Sequence, residues 1–293
     1  MLSEPLSIEL LQEPLKNHMG YQLRRAAVLI QADLTTVLKE LQLIPSAASI
    51  LLVLSNKKEL IQMELSNLLG IQRTNISPLI ASLEKRGFLS RSSLDGRSHY
   101  VKLTGQGIKQ IPLILDCLEQ HEKNCFAQLS TSEISKLNKA LKITQHLIDQ
   151  KISNSEDVAV YRQLSFLIVR TSSLAMSKLV KELAPLGLIP SNASAMVMII
   201  NNPGVHQSKL GRSLGIKRAN ISTLISELKA RKLVNVQVNG RTQELNLSEK
   251  GQALVKRVAQ ILNQHETYFF NHIKNPQELI SSLNAIRQQI TKK

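Results

Sequence analysis

The chain states one pattern twice. The segment GIQRTNIS at residues 70–77 returns as GIKRANIS at 215–222, an offset of 145 (215 − 70), and LIPSAAS at 43–49 returns as LIPSNAS at 188–194, again 145 (188 − 43). Between residues 69 and 86, 11 of 18 positions are identical in the second copy. Two separate matches at one offset mark a duplication, and a period above the roughly 20–50 residues of solenoid repeats makes each copy a whole domain. The 293 residues then divide into 1–152 and 153–293, each long enough to bury a core. A duplicated domain in one chain suggests a two-fold related object.

Each copy reads as mostly helical. Residues 21–41 carry apolar side chains at helical spacing without internal Gly or Pro. Pro45 opens a second helix. A short helix over 61–69 ends at Gly70, and a fourth covers 73–86 with Ile76, Leu79, Ile80 and Leu83 on one face. Thr74, Ser77, Pro78 and Ala81 then face outward, a small polar surface suited to close approach. After Gly87 the period changes: 88–91 and 99–103 read as strands joined through the turn signal Asp95-Gly96. Thr104 caps a long helix to about residue 126, and 130–150 forms a last one.

The second copy repeats the order, with helices over 162–186 and 217–232, Pro190 opening the second helix, and Asn239-Gly240 as the turn. The offset falls to 144 (240 − 96) at this turn, so the second hairpin is one residue shorter, a cheap place for a deletion. Ser153 with Glu156 forms a capping box between the copies, indicating a tight junction. The segment before Tyr21 is expected to be an extra helix over that junction.

The net charge of +15 is uneven. Residues 1–150 hold 17 basic and 14 acidic side chains, a net of +3, which leaves +12 for residues 151–293. That excess fits a polyanionic partner, nucleic acid or an anionic surface. Cys117 and Cys125 sit eight residues apart on one helix, a rise of about 12 Å, too far for a disulfide. A reduced, cytoplasmic protein fits. The acidic start lacks the basic region of a secretory signal, and no apolar run reaches the roughly 18 residues of a membrane span. No phosphate loop, nucleophile motif or metal-ligand cluster is visible, so neither enzyme activity, cofactor nor metal is expected.

A short helix, a glycine turn, an amphipathic helix and a β-hairpin make a winged helix-turn-helix. The stretches GYQLRRAA at 20–27, LIASLEKRGFLSR at 79–91 and DGRSHYVKLTGQG at 95–107 resemble the MarR family of bacterial transcription regulators. So do residues 201–234 and NGRTQELNLSEKG at 239–251. The resemblance covers almost the whole chain. It implies tandem winged helix-turn-helix domains with helical dimerisation-type elements, arranged as a monomeric single-chain pseudodimer. It also implies a sequence-specific binder of double-stranded DNA, a repressor, with one chain covering both halves of a pseudo-palindromic operator. The competing readings are a protein-interaction scaffold and an architectural DNA binder with degenerate winged helices. The second copy departs from the family pattern at Lys232, where the first has Gly87, and at Asn239, where the first has Asp95; Arg91 has no equivalent near Asn235.

Gln72, Arg73, Thr74 and Ser77, with Lys217, Arg218, Ser222 and Thr223, are the candidates for major-groove and phosphate contacts, since Arg reads guanine and Ser or Thr reaches bases or phosphates. Bracing of the fold by Arg73 and Arg218 is the alternative. Arg97 and Arg241 at the hairpin tips are placed to enter a minor groove, or to stand as solvated turn charges. Pro78 against Thr223 makes the two outward faces unlike, which implies unlike half-sites. The family's effector cavity suggests Tyr21, Arg25 and His121, with Phe166, Arg170 and His265, as a site for a small aromatic or anionic effector, packing being the alternative.

Overall fold

In a computed structural model of the chain, residues 14–93, 99–148, 159–239 and 242–292 are described. The first copy contains α1 (Met19–Val37), α2 (Pro45–Asn56), β1 (Leu60–Ile61), α3 (Gln62–Leu69), α4 (Arg73–Lys85), β2 (Leu89–Ser93), β3 (His99–Leu103), α5 (Gly105–Cys125) and α6 (Thr131–Ile148). The second contains α7 (Leu164–Leu183), α8 (Pro190–Asn201), β4 (Val205–His206), α9 (Gln207–Leu214), α10 (Arg218–Ala230), β5 (Val234–Asn239), β6 (Thr242–Leu247), α11 (Glu249–Phe270) and α12 (Pro276–Thr291). The expected order recurs twice, with a short added strand in each copy and 3-10 turns at Ala159–Arg162 and Ala184–Leu186 flanking α7. The two-residue strands β1 and β4 extend each hairpin to a three-stranded antiparallel sheet, ordered β1-β3-β2 and β4-β6-β5. Leu60 pairs with Val101, and Val205 with Leu245. Both wing turns, the capping box at Ser153 and the N-terminal helix expected before Tyr21 lie largely or wholly outside the described residues.

The two copies share local devices. Gly70 and Gly215 end α3 and α9 in left-handed conformation, at φ 65° and 67°. The Arg86 guanidinium donates to the carbonyls of Gln42 (2.6 Å) and Leu41 (3.0 Å), and Arg231 does the same to Gly187 and Leu186. These bonds fasten the end of α4 or α10 to the loop that precedes α2 or α8. Thr104 caps α5 by accepting from the Gly107 amide at 3.1 Å while donating to the Gly87 carbonyl at 2.6 Å. Ser248 repeats both bonds with Gly251 and Lys232. Lys232 occupies the left-handed region at φ 57°, where the first copy has Gly87 at 74°. The departure at Lys232 is therefore accommodated by backbone strain and not by a changed turn. Helix α4 runs unbroken through Pro78, which is exposed.

The chain falls into two compact units, Met19–Ala175 with Phe269–Lys293, and Met1–His18 with Met176–Tyr268. The first of these interleaves elements of both copies. Helix α1 lies along α12, and α5 and α6 also pack on α12. Their core joins Met19, Leu23 and Ile30 of α1 to Leu283 and Ile286 of α12, continuous with Ile50, Leu51, Ile76 and Ile80 of the winged helix. Glu122 of α5 accepts from the amides of Leu164 (3.1 Å) and Ser165 (2.9 Å) and from the Ser165 hydroxyl, satisfying donors that the start of α7 leaves open. Burial pushes the Glu122 carboxyl above the usual range, while these donors pull it back. In the second unit the winged helix is built on buried Met196, Leu210, Ile221, Ile225, Leu228 and Leu245. Among the described residues, no single helix is long and apolar enough to cross a membrane.

Candidate nucleic-acid interface

Each winged helix presents one polar face on its amphipathic helix. In α4 the core takes Ile76, Ile80 and Leu83, and the turn after Gly70 leaves Gln72 at the N-cap. Gln72, Arg73, Thr74, Asn75, Ser77, Pro78 and Ala81 are all exposed. In α10 the core takes Ile221, Leu224, Ile225 and Leu228, with Lys217 at the N-cap. Lys217, Arg218, Asn220, Ser222 and Thr223 are exposed. The periodicity places the side chains because an apolar stripe of i, i+3, i+4 and i+7 leaves the opposite arc to solvent. Asn75 and Asn220 thus face solvent and do not cap through their side chains.

The surroundings differ between copies. In the first, Arg73 lines a cleft of about 310 Å³ with Gln62, Met63, Arg91, His99 and Val101. Arg91 is paired with Glu84, Nε to Oε2 at 3.0 Å. In the second, Arg218 and Ser222 line a groove of about 750 Å³ together with Arg212, Lys229, Gln207 and Gln243. Gln207 donates to the Ser222 hydroxyl at 2.9 Å, and that hydroxyl also lies 3.3 Å from the Arg218 carbonyl. Sequence reasoning missed Arg212, Lys229 and Gln207. Their signal was the same 145-residue comparison, applied to α9 and to the C-terminal end of α10. Arg97 and Arg241 lie outside the described residues.

Of the candidate effector residues, Phe166 and Arg170 line a cavity. This cavity of about 370 Å³ is bounded by α1, α2, the α3–α4 turn and α7, and its lining also includes Gln31, Ser49, Gln72 and Asn75. Tyr21, Arg25, His121 and His265 are not in that lining. Arg25 stacks over the Tyr21 ring, 5.5 Å to its centroid. His121 is fully buried, with Nε2 3.3 Å from Asp33. His265 approaches Glu182 at 2.7 Å. Burial pushes the His265 imidazole below its ordinary pKa, with Glu182 opposing in part. Arg170 is 1% exposed and its guanidinium is engaged by protein acceptors: Leu68 O at 2.7 Å, Gln145 Oε1 at 2.8 Å and Asn67 O at 3.3 Å. It caps the carbonyl end of α3 and does not stand open as an anion clamp. Cys117 has its thiol pushed up by burial, then by Glu40 and Asp116, which opposes thiolate chemistry.

A sequence model of the MarR family matches this chain twice, over residues 41–98 and 186–242. No curated protein matches it. Among solved structures the chain is similar to a MarR-family transcriptional regulator from Rhodococcus sp. RHA1, with 21% identity over 46% of this chain and 95% of that one, TM-score 0.39. It is similar to the Mycobacterium tuberculosis MarR family protein Rv2887 in complex with salicylic acid, 22% identical over 39% and 87%, TM-score 0.33. A third is the transcriptional repressor CouR bound to a 23-mer DNA duplex, 24% identical over 47% and 98%, TM-score 0.39.

Proposed function

From a chain that carries two MarR-family regions in tandem, we propose a sequence-specific regulator of transcription, a repressor in which one molecule reads both halves of an operator. The duplicated units are residues 1–152 and 153–293, and the chain is a cytoplasmic monomer that acts as its own dimer. The observation that carries this is the pair of exposed recognition faces, with Arg73 and Arg218, Asn75 and Asn220, and Ser77 and Ser222 at corresponding places. Arg at such a position forms paired bonds to guanine, and the hydroxyls reach bases or phosphates. Gln72, Thr74, Lys217 and Thr223 complete the two faces, and Arg97 and Arg241 at the wing tips enter the minor groove. The interleaving of α1 with α12 supports the pseudodimer, since those helices come from opposite copies. Binding occludes polymerase and requires no catalysis, cofactor or metal.

The effector reading attaches to the cavity beside Phe166 and Arg170. Its volume of about 370 Å³ suits a small aromatic molecule. Because three of the Arg170 donors are already committed, a neutral ring bearing hydroxyl or amide groups fits better than an acid. Gln72 and Asn75 share that lining, so an occupant bears on the start of α4.

The test is selection of bound sequences from random duplex DNA with the full chain. A two-armed consensus is expected. Recovery of no enriched sequence, with binding of all duplexes alike, supports an architectural binder instead.

A further inference from the structure

We infer that the two heads divide the work: the helix-turn-helix of the second copy is the phosphate anchor, through Arg212 and Lys229, and that of the first copy is a near-neutral reader. This rests on the DNA-binding reading above and assigns its energetics to particular side chains. Residues 207–231 hold six basic and one acidic side chain, net +5, whereas the corresponding residues 62–86 hold three and two, net +1. Two exchanges at an offset of 145 fall within the helix-turn-helix. Asn67 on α3 corresponds to Arg212 on α9, and Glu84 on α4 to Lys229 on α10.

The surroundings give these exchanges their effect. Arg212 and Lys229 are exposed, and both line the groove that holds Arg218 and Ser222. No acidic side chain is among the described lining residues of that groove. Three cations, on α9 and at both ends of α10, therefore border one concave surface. Such an array matches a run of backbone phosphates, whose neutralisation releases condensed counterions irrespective of base sequence. In the first copy the corresponding place is self-neutralised. Glu84 holds Arg91 in an ion pair at 3.0 Å, and in the second copy that pair becomes Lys229 and Val236. Arg73 then stands as the cation of its recognition-helix start, beside the neutral Gln72.

The experiment measures binding of the full chain to a fluorescent 30-base-pair duplex of arbitrary sequence, across a fourfold range of salt. Arg212→Asn with Lys229→Gln should flatten the salt slope by about two units, at about 0.9 per phosphate lost, which is roughly a tenfold loss in affinity at the low-salt end relative to the high-salt end. Asn67→Arg with Glu84→Lys should steepen it by a similar amount, a gain that misfolding cannot produce. Both exchanges lie on the surface, and unchanged melting confirms the fold. A slope unmoved by the first pair while the wild-type chain binds duplex overturns this assignment alone. Failure of the wild-type chain to bind any duplex overturns the DNA-binding reading and the assignment together.

Discussion

Replacing Arg170 by Met should loosen the first winged helix from the helix that holds it. The side chain is 1% exposed and donates to Leu68 O, Asn67 O and Gln145 Oε1. Two of these acceptors are carbonyls at the end of α3, where a cation also meets the negative end of the helix dipole. Bonds from a charged donor contribute about 1.5–3 kcal/mol each, but the Asn67 bond is long and that carbonyl also accepts from the Gly70 amide. Methionine restores most of the apolar packing, so the net loss should be about 3 kcal/mol. For a unit of this size that lowers the melting temperature by about 6–12 °C. Arg170→Lys should recover only part, because an ammonium cannot span three separated acceptors. Urea denaturation reads the stability, and amide hydrogen exchange localises it: α3 and the start of α4 should lose protection while α9 and α10 keep theirs. A melting shift under about 2 °C, or equal loss of protection in both winged helices, would show that Arg170 does not hold this turn.

Lys232→Gly should stabilise the second winged helix slightly, by about 0.5 kcal/mol, because a left-handed residue with a Cβ costs about 1–2 kcal/mol and glycine's extra chain entropy offsets part of the gain. The reverse change, Gly87→Lys, should lower the urea midpoint. Glu122→Ala strips the acceptor from the start of α7 and should cost about 1–2 kcal/mol, as loss of an N-cap does, with Glu122→Gln retaining much of it. His265 has a folded pKa held below its unfolded value, so the native state binds fewer protons there. Its contribution to stability is present above the ordinary histidine pKa of about 6.5 and is lost as pH falls through the lowered value. Melting temperature should therefore drop between pH 7 and pH 5, and His265→Phe should flatten that drop.

Helices α4 and α10 were legible because burial of one apolar stripe leaves little freedom in what faces solvent. Gly70 was legible as a helix end because left-handed backbone favours glycine so strongly. The strands β1 and β4 were not, since two residues carry no periodicity. Neither were the bonds from Arg86 and Arg231 to the loops before α2 and α8, which span 44 and 45 residues of sequence. The same limit hid the clasp of Glu122 on α7 and the committed guanidinium of Arg170. A side chain's partner is set by the path of the chain, whereas its exposure is set by local period. That limit also hid the partners of the two matching effector trios: His121 and His265 each take a carboxylate of their own, Asp33 and Glu182.

The central claim is that one chain is a complete operator-reading unit. Native mass spectrometry of the full chain with a selected two-armed duplex measures this directly. One protein molecule per duplex is expected, with a free protein that is monomeric at micromolar concentration. Two chains on each duplex, each protecting one arm, together with an obligate dimer in the free state, would contradict it.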